Sequence, residues 1–584
     1  MNPTAGLRFL RPYLQNDLCA ARRAAYLRWF STSRSLLNLA AATPKSKNDS
    51  TVRTPSTVGA ESRAQVQERI AELKDAGALE WPRIKSDKEA MRVGEYIEKY
   101  MPILGRGELR EQTYVKVRGR VRSFRVAGKS LVFLDIAQDG KSVQIVLNRA
   151  RLEGFAGICR KEFIEFYHLV RRGDIISVYG NPYNTARGEV SVNAVELPTL
   201  LSPSLASLPL ELDDRETRIR HRHVDLLINK KVADTIRVRS LIIQYLREFL
   251  LKDNFLEVQT PLIADKAGGA IAKPFTTVAT EFSEKTLALR IAPEIWLKRL
   301  VIGGMDRVFE IGPAFRNEGL DATHNPEFTT CEFYKAFADL EDLISMTESL
   351  FAGIAKLVAD LRTSPLKKLP TADLERFTAP FNRIEFIPAV EAGLEQKLPD
   401  ISADDAEERL ISLFKERDLP LPSSPTLPRL LDKLSSIYIE PDCVAPTFIT
   451  HHPSCMAPLS KSFLCPKTKQ LVSARAELFV DKRELANMYE EENSPFAQRE
   501  KFLQQAKWRD DENRAVVDES YLEALEYALP PTGGWGCGID RLVMVFSGAN
   551  RISDVLAFGS LRNVVNLGRE GALPVPDTKS QDPE

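Results

Sequence analysis

The chain has 584 residues, of which 43% are hydrophobic, 27% charged and 8% aromatic, an ordinary globular composition with length enough for several domains. Lysine plus arginine equals aspartate plus glutamate at 80 each, which excludes a uniformly basic coat for nucleic acid and leaves local patches to meet any polyanion. No uninterrupted apolar run approaches the ~20 residues of a membrane-spanning helix, and the seven cysteines form no CxxC pair, so neither a thiolate zinc site nor a disulfide framework is expected.

Through Ala42 the basic residues Arg8, Arg11, Arg22, Arg23, Arg28 and Arg34 face a single acid, Asp17. Arg28-Trp29-Phe30-Ser31 resembles a matrix-processing site, and residues 1–42 read as a mitochondrial transit peptide; a disordered basic tail is the alternative. Removing the segment leaves a mature net charge of about −5, which sharpens the need for a local basic patch. Residues 43–110 read as a linker, Ser/Thr/Lys/Pro-rich over Lys45–Thr57, followed by N-terminal helices. Over Glu61–Ala78, Val66, Ile70 and Leu73 recur at helical spacing.

From 111 to 205 the period changes to two. Val115, Val117 and Val121 alternate with Lys116, Arg118, Arg120 and Arg122, and further short strands follow at Leu131–Ile136, Val143–Leu147, Ile175–Tyr179 and Val190–Val195. About five strands with a helical interruption near Lys161–His168 suit a small OB-type barrel. The basic side chains of its first strand share one face, either a solvated surface or a contact for nucleic acid. Aromatic residues such as Phe133 offer stacking platforms for bases.

Residues 211–570 mix helices and strands, beginning with a helix over Asp234–Leu251. The Pro-rich stretch 365–446, with a charged helix around Ala403–Arg417, reads as an insertion within this unit. Residues 571–584 read as a flexible tail. The whole is therefore expected to be an α+β protein, a barrel followed by a larger unit built on an antiparallel sheet flanked by helices.

Three stretches of the larger unit stand in an informative order. Asn254-Phe255-Leu256-Glu257-Val258-Gln259-Thr260-Pro261 comes first. Phe315-Arg316-Asn317-Glu318 follows, with His324-Asn325-Pro326-Glu327-Phe328 and Cys331-Glu332-Phe333-Tyr334 after it. Gly534-Trp535-Gly536-Cys537-Gly538-Ile539-Asp540-Arg541 closes the set. Together they resemble motifs 1, 2 and 3 of the class II aminoacyl-tRNA synthetases. Gly268-Gly269-Ala270, Arg290-Ile291-Ala292-Pro293-Glu294, Glu477-Leu478-Phe479-Val480 and Glu484-Leu485-Ala486-Asn487 with Glu491 resemble the lysyl-tRNA synthetases in particular.

That resemblance implies a site and a reaction. The carboxylate of L-lysine attacks the α-phosphate of ATP, and the lysyl group then passes to the terminal 3′-OH of tRNA(Lys), here in the mitochondrial matrix. The nucleophile is already ionised, so the chemistry asks for positioning and charge neutralisation, not for a base. Arginine suits that task, because its planar fork grips phosphate or carboxylate while keeping its charge.

Residue by residue, the resemblance makes Arg316 and Arg541 the catalytic cations and His324 a partner at the γ-phosphate. It puts Phe328 on adenine against Arg541, and Glu318, Asn325, Glu484, Leu485, Gly538 and Asp540 around the nucleotide. Glu477 and Glu484 would hold Mg²⁺, as hard oxygen ligands do. A two-residue turn at Asp481-Lys482 brings those two carboxylates to one face, but a strict period of two sends Asn487 to the other, so a bulge or strand end is expected near Ala486. Glu332, Glu491 and Tyr334 would cage the ε-ammonium, Glu294 and the Gly269 backbone take the α-amino group, Asn487 takes the carboxylate, and Tyr489 forms a wall. Arg118, Arg120, Phe133, Gln144 and Glu189 would meet the tRNA anticodon. A homodimer through motif 1, and no membrane attachment, complete the expectation.

Two alternatives remain open at this point: an aspartate or asparagine ligase of the same subgroup, and a catalytically silent tRNA-binding paralogue. The acids at 294, 332 and 491 have the wrong sign for an acidic or amide substrate, and a silent binder would not need Arg316, Glu477, Glu484 and Arg541. Trp296, Trp535, Glu492 and Phe558-Gly559-Ser560-Leu561-Arg562 depart from the family pattern.

Overall fold

The computed structural model describes residues 60–84, 90–266, 268–269, 272–363, 366, 369–370, 372–508 and 517–565. The expected transit peptide, the linker Lys45–Thr57, Ala270 and the tail 571–584 lie outside the described residues. The chain divides after Thr217 into two compact units.

In the first unit, β1 (Val115–Ala127), β2 (Leu131–Gln138), β3 (Lys141–Asn148), β4 (Ile175–Asn184) and β5 (Val190–Ala194) close on themselves in the order β1-β2-β3-β5-β4-β1. Only the β3–β5 pair is parallel. Closure leaves none of the five as a free edge. The alternation in β1 works as the sequence requires: Val115, Val117 and Val121 are buried, while Lys116, Arg118 and Arg120 lie outside. A register shift between Val121 and Ser123 reverses the alternation beyond it. Two helices, Arg149–Ala156 and Arg160–Leu169, join β3 to β4, and Phe163 and Phe166 cap the barrel core. The expected N-terminal helix runs over Ala60–Asp75 and docks through buried Leu73 and buried Arg69, whose guanidinium donates to Asp174 at 3.2 Å and to the Leu169 carbonyl at 2.8 Å.

The second unit is built on an eight-stranded sheet. Its strands are β6 (Leu256–Glu257), β7 (Arg307–Phe315), β8 (Glu327–Ala336), β9 (Asn382–Glu385), β10 (Thr447–Thr450), β11 (Arg475–Val480), β12 (Arg483–Glu490) and β13 (Thr532–Gly538). They lie in the order β9-β10-β11-β12-β13-β8-β7-β6, antiparallel except at the two outermost pairs. One face packs on the helices Lys230–Lys252, Leu340–Thr363 and Ile539–Ser547, and the shared core includes Phe309, Phe333, Leu478, Met488 and Trp535. A period of two then sends the intervening residues to the opposite face.

The stretch 365–446 is more than an appendage. Its strand β9 is an edge of the main sheet. Helices Phe386–Leu394, Ala406–Glu416 and Leu427–Tyr438 form a separate core that also takes in Ile449 and Phe479 of the sheet.

Candidate active site

The polar face of the sheet floors a cleft of about 640 Å³. The strand register sets its content. Arg475 and Glu477 on β11 stand opposite Tyr489 and Asn487 on β12, which stand opposite Gly534 and Gly536 on β13, which in turn face Tyr334 and Glu332 on β8. Acids, an amide and phenols thus form the walls, and glycines leave the floor bare. A Cβ at Gly534 would stand 1.8 Å from Glu491 Oε1 and 2.7 Å from the Tyr334 ring, so no larger residue fits there as the cleft is built. Gly538 has no atom within 4 Å of a built Cβ.

The β11–β12 hairpin answers the problem posed by Asn487. Its register shifts between Leu478 and Phe479, with Phe479 opposite Glu484 and Leu478 opposite Ala486. Leu485 is the extra residue of a bulge, which restores Asn487 and Tyr489 to the face of Glu477 and Glu484. Arg475 ties this face together, donating from Nε to Asn487 Oδ1 at 3.0 Å, from Nη1 to the Met456 carbonyl at 3.1 Å, and pairing with Glu477 through Nη2. His452 Nε2 lies 3.1 Å from Glu477. Although burial opposes it, Arg475 and His452 bring the Glu477 carboxyl down to about 2, whereas burial and the nearby Glu477 push Glu484 up. Asp432, from the helical stretch, also lines the cleft. The sequence signal for Arg475 was its two-residue spacing from Glu477; nothing local marked Asp432 or His452.

At the motif 2 end, Arg316 lies over the Phe328 ring at 5.1 Å and donates to the Ile291 carbonyl at 3.4 Å. Arg541 donates to the Glu484 carbonyl at 3.1 Å, and its Nη2 is 2.7 Å from His324 Nε2. A guanidinium can only donate, so Nε2 is the acceptor and the ring proton sits on Nδ1, directed to Asp321 at 2.8 Å. Arg316, Arg541, His324 and Phe328, far apart in sequence, therefore line one end of the cleft together. The cation over the Phe328 ring is Arg316.

Asp540 lines the cleft and also has structural partners. It is buried, accepts from the Thr329 amide at 2.9 Å and pairs with Arg239, so its carboxylate fixes the motif 3 helix to β8. Asn325 is similarly engaged, accepting from the Leu561 amide at 3.0 Å and donating to the Glu327 carbonyl. Glu318 lines the cleft beside them.

The other end of the cleft is an acidic cage with an unforeseen occupant. Tyr489 donates to Glu294 Oε1 at 2.6 Å, and Tyr334 to Glu332 at 3.3 Å. Gly269, at φ +90°, lets its backbone pass close to the Glu294 side chain. Fully buried Lys298 reaches Glu294 Oε1 at 2.6 Å and also pairs with Glu491. Burial and the proximity of Glu294 raise the Glu332 carboxyl to about 8, and burial pushes Glu491 up as well, against the pull of Lys298. The helical i,i+4 spacing of Glu294 and Lys298 was the available clue to this pair.

Of the departures from the family pattern, Trp535 is among the residues that line the cleft, and Leu561 donates its amide to the cleft residue Asn325. The Trp535 side chain lies on the helix-packed face, stacked on Phe333 at 4.9 Å, with Nε1 donating to Thr347 at 3.0 Å. Glu492 is held by Lys501 at 2.7 Å and by the Ser494 amide at 3.1 Å. Trp296 lines a small adjoining cavity of about 120 Å³.

On the barrel, Gln144 donates to Glu189 at 2.9 Å, and Phe133 packs under Arg125 at 5.0 Å. Arg118 and Arg120 stand opposite Ser177 and Ile175 of β4, and Arg120 donates to the Gly173 carbonyl at 2.8 Å. Arg125 stands opposite Phe133, and Arg120 opposite Ala137, four residues from Phe133 on the same strand β2.

The sheet and its cleft define a class II aminoacyl-tRNA synthetase catalytic domain. Residues 214–562 match the family of tRNA synthetases class II (D, K and N), and residues 115–200 match the OB-fold nucleic acid binding domain. The mitochondrial lysine–tRNA ligase of Schizosaccharomyces pombe is 40% identical over 87% of this chain and 96% of its own. A lysine–tRNA ligase of Cladosporium cladosporioides is 40% identical over 79% of this chain and 78% of its own, and the mitochondrial lysine–tRNA ligase of Saccharomyces cerevisiae 36% over 77% and 82%. Within that class, the chain belongs to the lysine–tRNA ligase family.

Proposed function

We propose that the protein activates L-lysine with ATP and charges tRNA(Lys) in the mitochondrial matrix. The observation that carries this reading is the cleft itself, with cations at one end for a triphosphate and an acidic cage at the other for an amino acid with a cationic tail. A site lined by buried carboxylates leaves them unpaired when the ligand lacks an ammonium, and so rejects aspartate and asparagine.

In the first step the lysine carboxylate attacks the α-phosphorus and pyrophosphate leaves. Arg316 neutralises the α-phosphate oxygens and orients the attacking carboxylate, while Arg541 and His324 hold the departing end. In the second step the terminal 3′-hydroxyl of the tRNA attacks the lysyl carbonyl and AMP departs. Glu477 and Glu484 would hold Mg²⁺, which supplies further neutralisation of phosphate charge. The pair fits such a cation: both are oxygen ligands on one strand face, and among the described residues no cluster of three or more His, Cys, Asp or Glu is arranged to bind a metal alone, leaving phosphate and water to complete the shell.

The register favours a revised orientation for the amino acid. Along β8, Glu332 is two residues nearer Phe328 than Tyr334, a spacing of about 7 Å, close to the reach of an extended lysine side chain. The α-ammonium then meets Glu332, and the ε-ammonium meets Tyr334, Glu294 and Glu491, so Glu294 and Glu332 exchange the roles the resemblance first suggested. Gln144 and Glu189, with Phe133, would read the anticodon. A homodimer follows the motif 1 edge, where Leu256 on β6 and nearby Ile263 are about half exposed. No helix among the described residues is long and apolar enough to cross a membrane.

The decisive experiment is ATP–pyrophosphate exchange with each amino acid in turn. Exchange that depends on lysine is expected. Dependence on aspartate, or no exchange with any amino acid, overturns the reading.

A further inference from the structure

Lys298 has no part in the scheme above, yet it occupies the closed end of the cage. It lies one helical turn beyond Glu294 on the helix Glu294–Ile302 and has no exposed surface. Its Nζ is 2.6 Å from Glu294 Oε1, pairs with Glu491 Oε2, and lies 5.9, 5.7 and 5.8 Å from the ring centres of Tyr334, Tyr489 and Tyr521. We propose that Lys298 is the internal counter-ion of the lysine subsite, a positioning residue that holds Glu294 and Glu491 in charge and in place to receive the substrate's ammonium. The proposal rests on the lysine-activating reading.

The geometry separates this role from that of an ordinary strut. An ion pair that only stabilised the fold would be satisfied by one carboxylate. Lys298 instead takes one oxygen from each of two, one on a helix and one at the end of β12, leaving each with a second oxygen. Glu491 Oε1 is buried without a hydrogen-bond partner, beside the bare backbone of Gly534. That is an acceptor pair set up for another cation.

Charge balance points the same way. The groups facing Nζ are Glu294 from its own helix, Tyr334 from β8 with Glu332 next along that strand, Tyr489 and Glu491 from β12 and its end, and Tyr521 from the helix Glu519–Leu525. Three buried carboxylates meet one resident cation, and a buried surplus of negative charge takes up protons unless it is paired. Burial first, and then the neighbouring carboxylates, raise the Glu332 and Glu491 carboxyls. Burial works against the Lys298 ammonium, but Glu294 and Glu491 outweigh it and hold its pKa above the usual lysine range. Without this cation the empty cage holds about one more proton, which an arriving ammonium must expel.

The test is calorimetric titration of the full-length protein with L-lysine and, separately, with ATP, in buffers of different ionisation enthalpy between pH 6.5 and 9. Lys298→Met is expected to release about one more proton per lysine bound than wild type. Its log Kd for lysine should fall more steeply with pH by about one unit per pH unit, giving a loss of roughly tenfold or more at pH 7 that shrinks as pH rises. ATP affinity should stay within about twofold. Should Lys298→Met fail to fold, Lys298→Gln keeps two N–H donors without the charge and is expected to give the same proton count. Proton release and pH slope equal to wild type, or equal losses for lysine and ATP at every pH, would make Lys298 a strut and overturn the proposal. Wild-type protein that binds ATP but no lysine would instead refute the lysine-activating reading.

Discussion

Gly534→Ala isolates the acidic cage with a single methyl group. A Cβ at this position would lie 1.8 Å from Glu491 Oε1, against an ordinary contact of about 3.4 Å, so the carboxylate must retreat by roughly 1.6 Å or the strand must shift. Hydrogen bonds weaken steeply beyond their usual length, and a retreat of that size removes one. Losing a charge-assisted contact of about 1.5–3 kcal/mol corresponds to roughly a ten- to hundredfold rise in the lysine KM, and overpacking costs about 1–3 kcal/mol of stability. Gly538→Ala is the internal control. Its backbone, at φ −74°, is open to alanine, and no atom lies within 4 Å of the added Cβ, so stability should hold and any effect should fall on the ATP KM. Lysine- and ATP-dependent pyrophosphate exchange, with thermal unfolding of each variant, reads all of these quantities. A Gly534→Ala enzyme whose lysine KM is unchanged, or whose lysine and ATP KM rise together, would refute the placement of Glu491 in the amino-acid subsite.

Other outcomes follow from separate parts of the molecule. Arg316→Ala should lower the exchange rate by roughly 10²-fold or more, the scale of one lost preorganised donor, and a near-wild-type rate would remove Arg316 from the reaction. Phe133→Ala should weaken tRNA binding by about 1–3 kcal/mol, one base stack, while leaving lysine activation intact; filter binding and exchange measure the two independently. Replacing Arg118 and Arg120 together should lower the slope of log affinity for tRNA against log salt by about two, and an unchanged slope would make them structural. Glu332 carries a carboxyl near pH 8 in the empty site. An ammonium favours its ionised form, so lysine kcat/KM should rise as pH climbs toward about 8, and Glu332→Gln should remove that limb.

What the chain made legible depended on the range of the interaction. Period-two alternation exposed β1 and its basic face, and local spacing marked the β11–β12 hairpin, because these depend on neighbours along one strand. The bulge at Leu485 was inferable only as a conflict: Glu484 and Asn487 are three apart and cannot share a face of a regular strand. The bulge at Arg122 and the closure of β1 onto β4 were hidden, since both are set by pairing partners elsewhere in the barrel. Asp540 shows the same limit: its pairing with Arg239, some three hundred residues away, had no local signal.

Neighbouring cations also explain how several acids can stand in and around one cleft. Arg475 answers Glu477 at the nucleotide end and Lys298 answers Glu294 and Glu491 at the amino-acid end. Lys298 is fully buried and takes one oxygen from each of its two carboxylates, whereas Glu477 is met at both of its oxygens, by Arg475 and by His452. Removing a carboxylate and its cation together should therefore cost less stability than removing the cation alone, because the lone acid would be buried unpaired. Lys298→Met combined with Glu491→Gln is expected to unfold at a higher temperature than Lys298→Met, while lysine affinity remains weak. Recovery of both together would mean that Glu491 serves the fold and not the substrate.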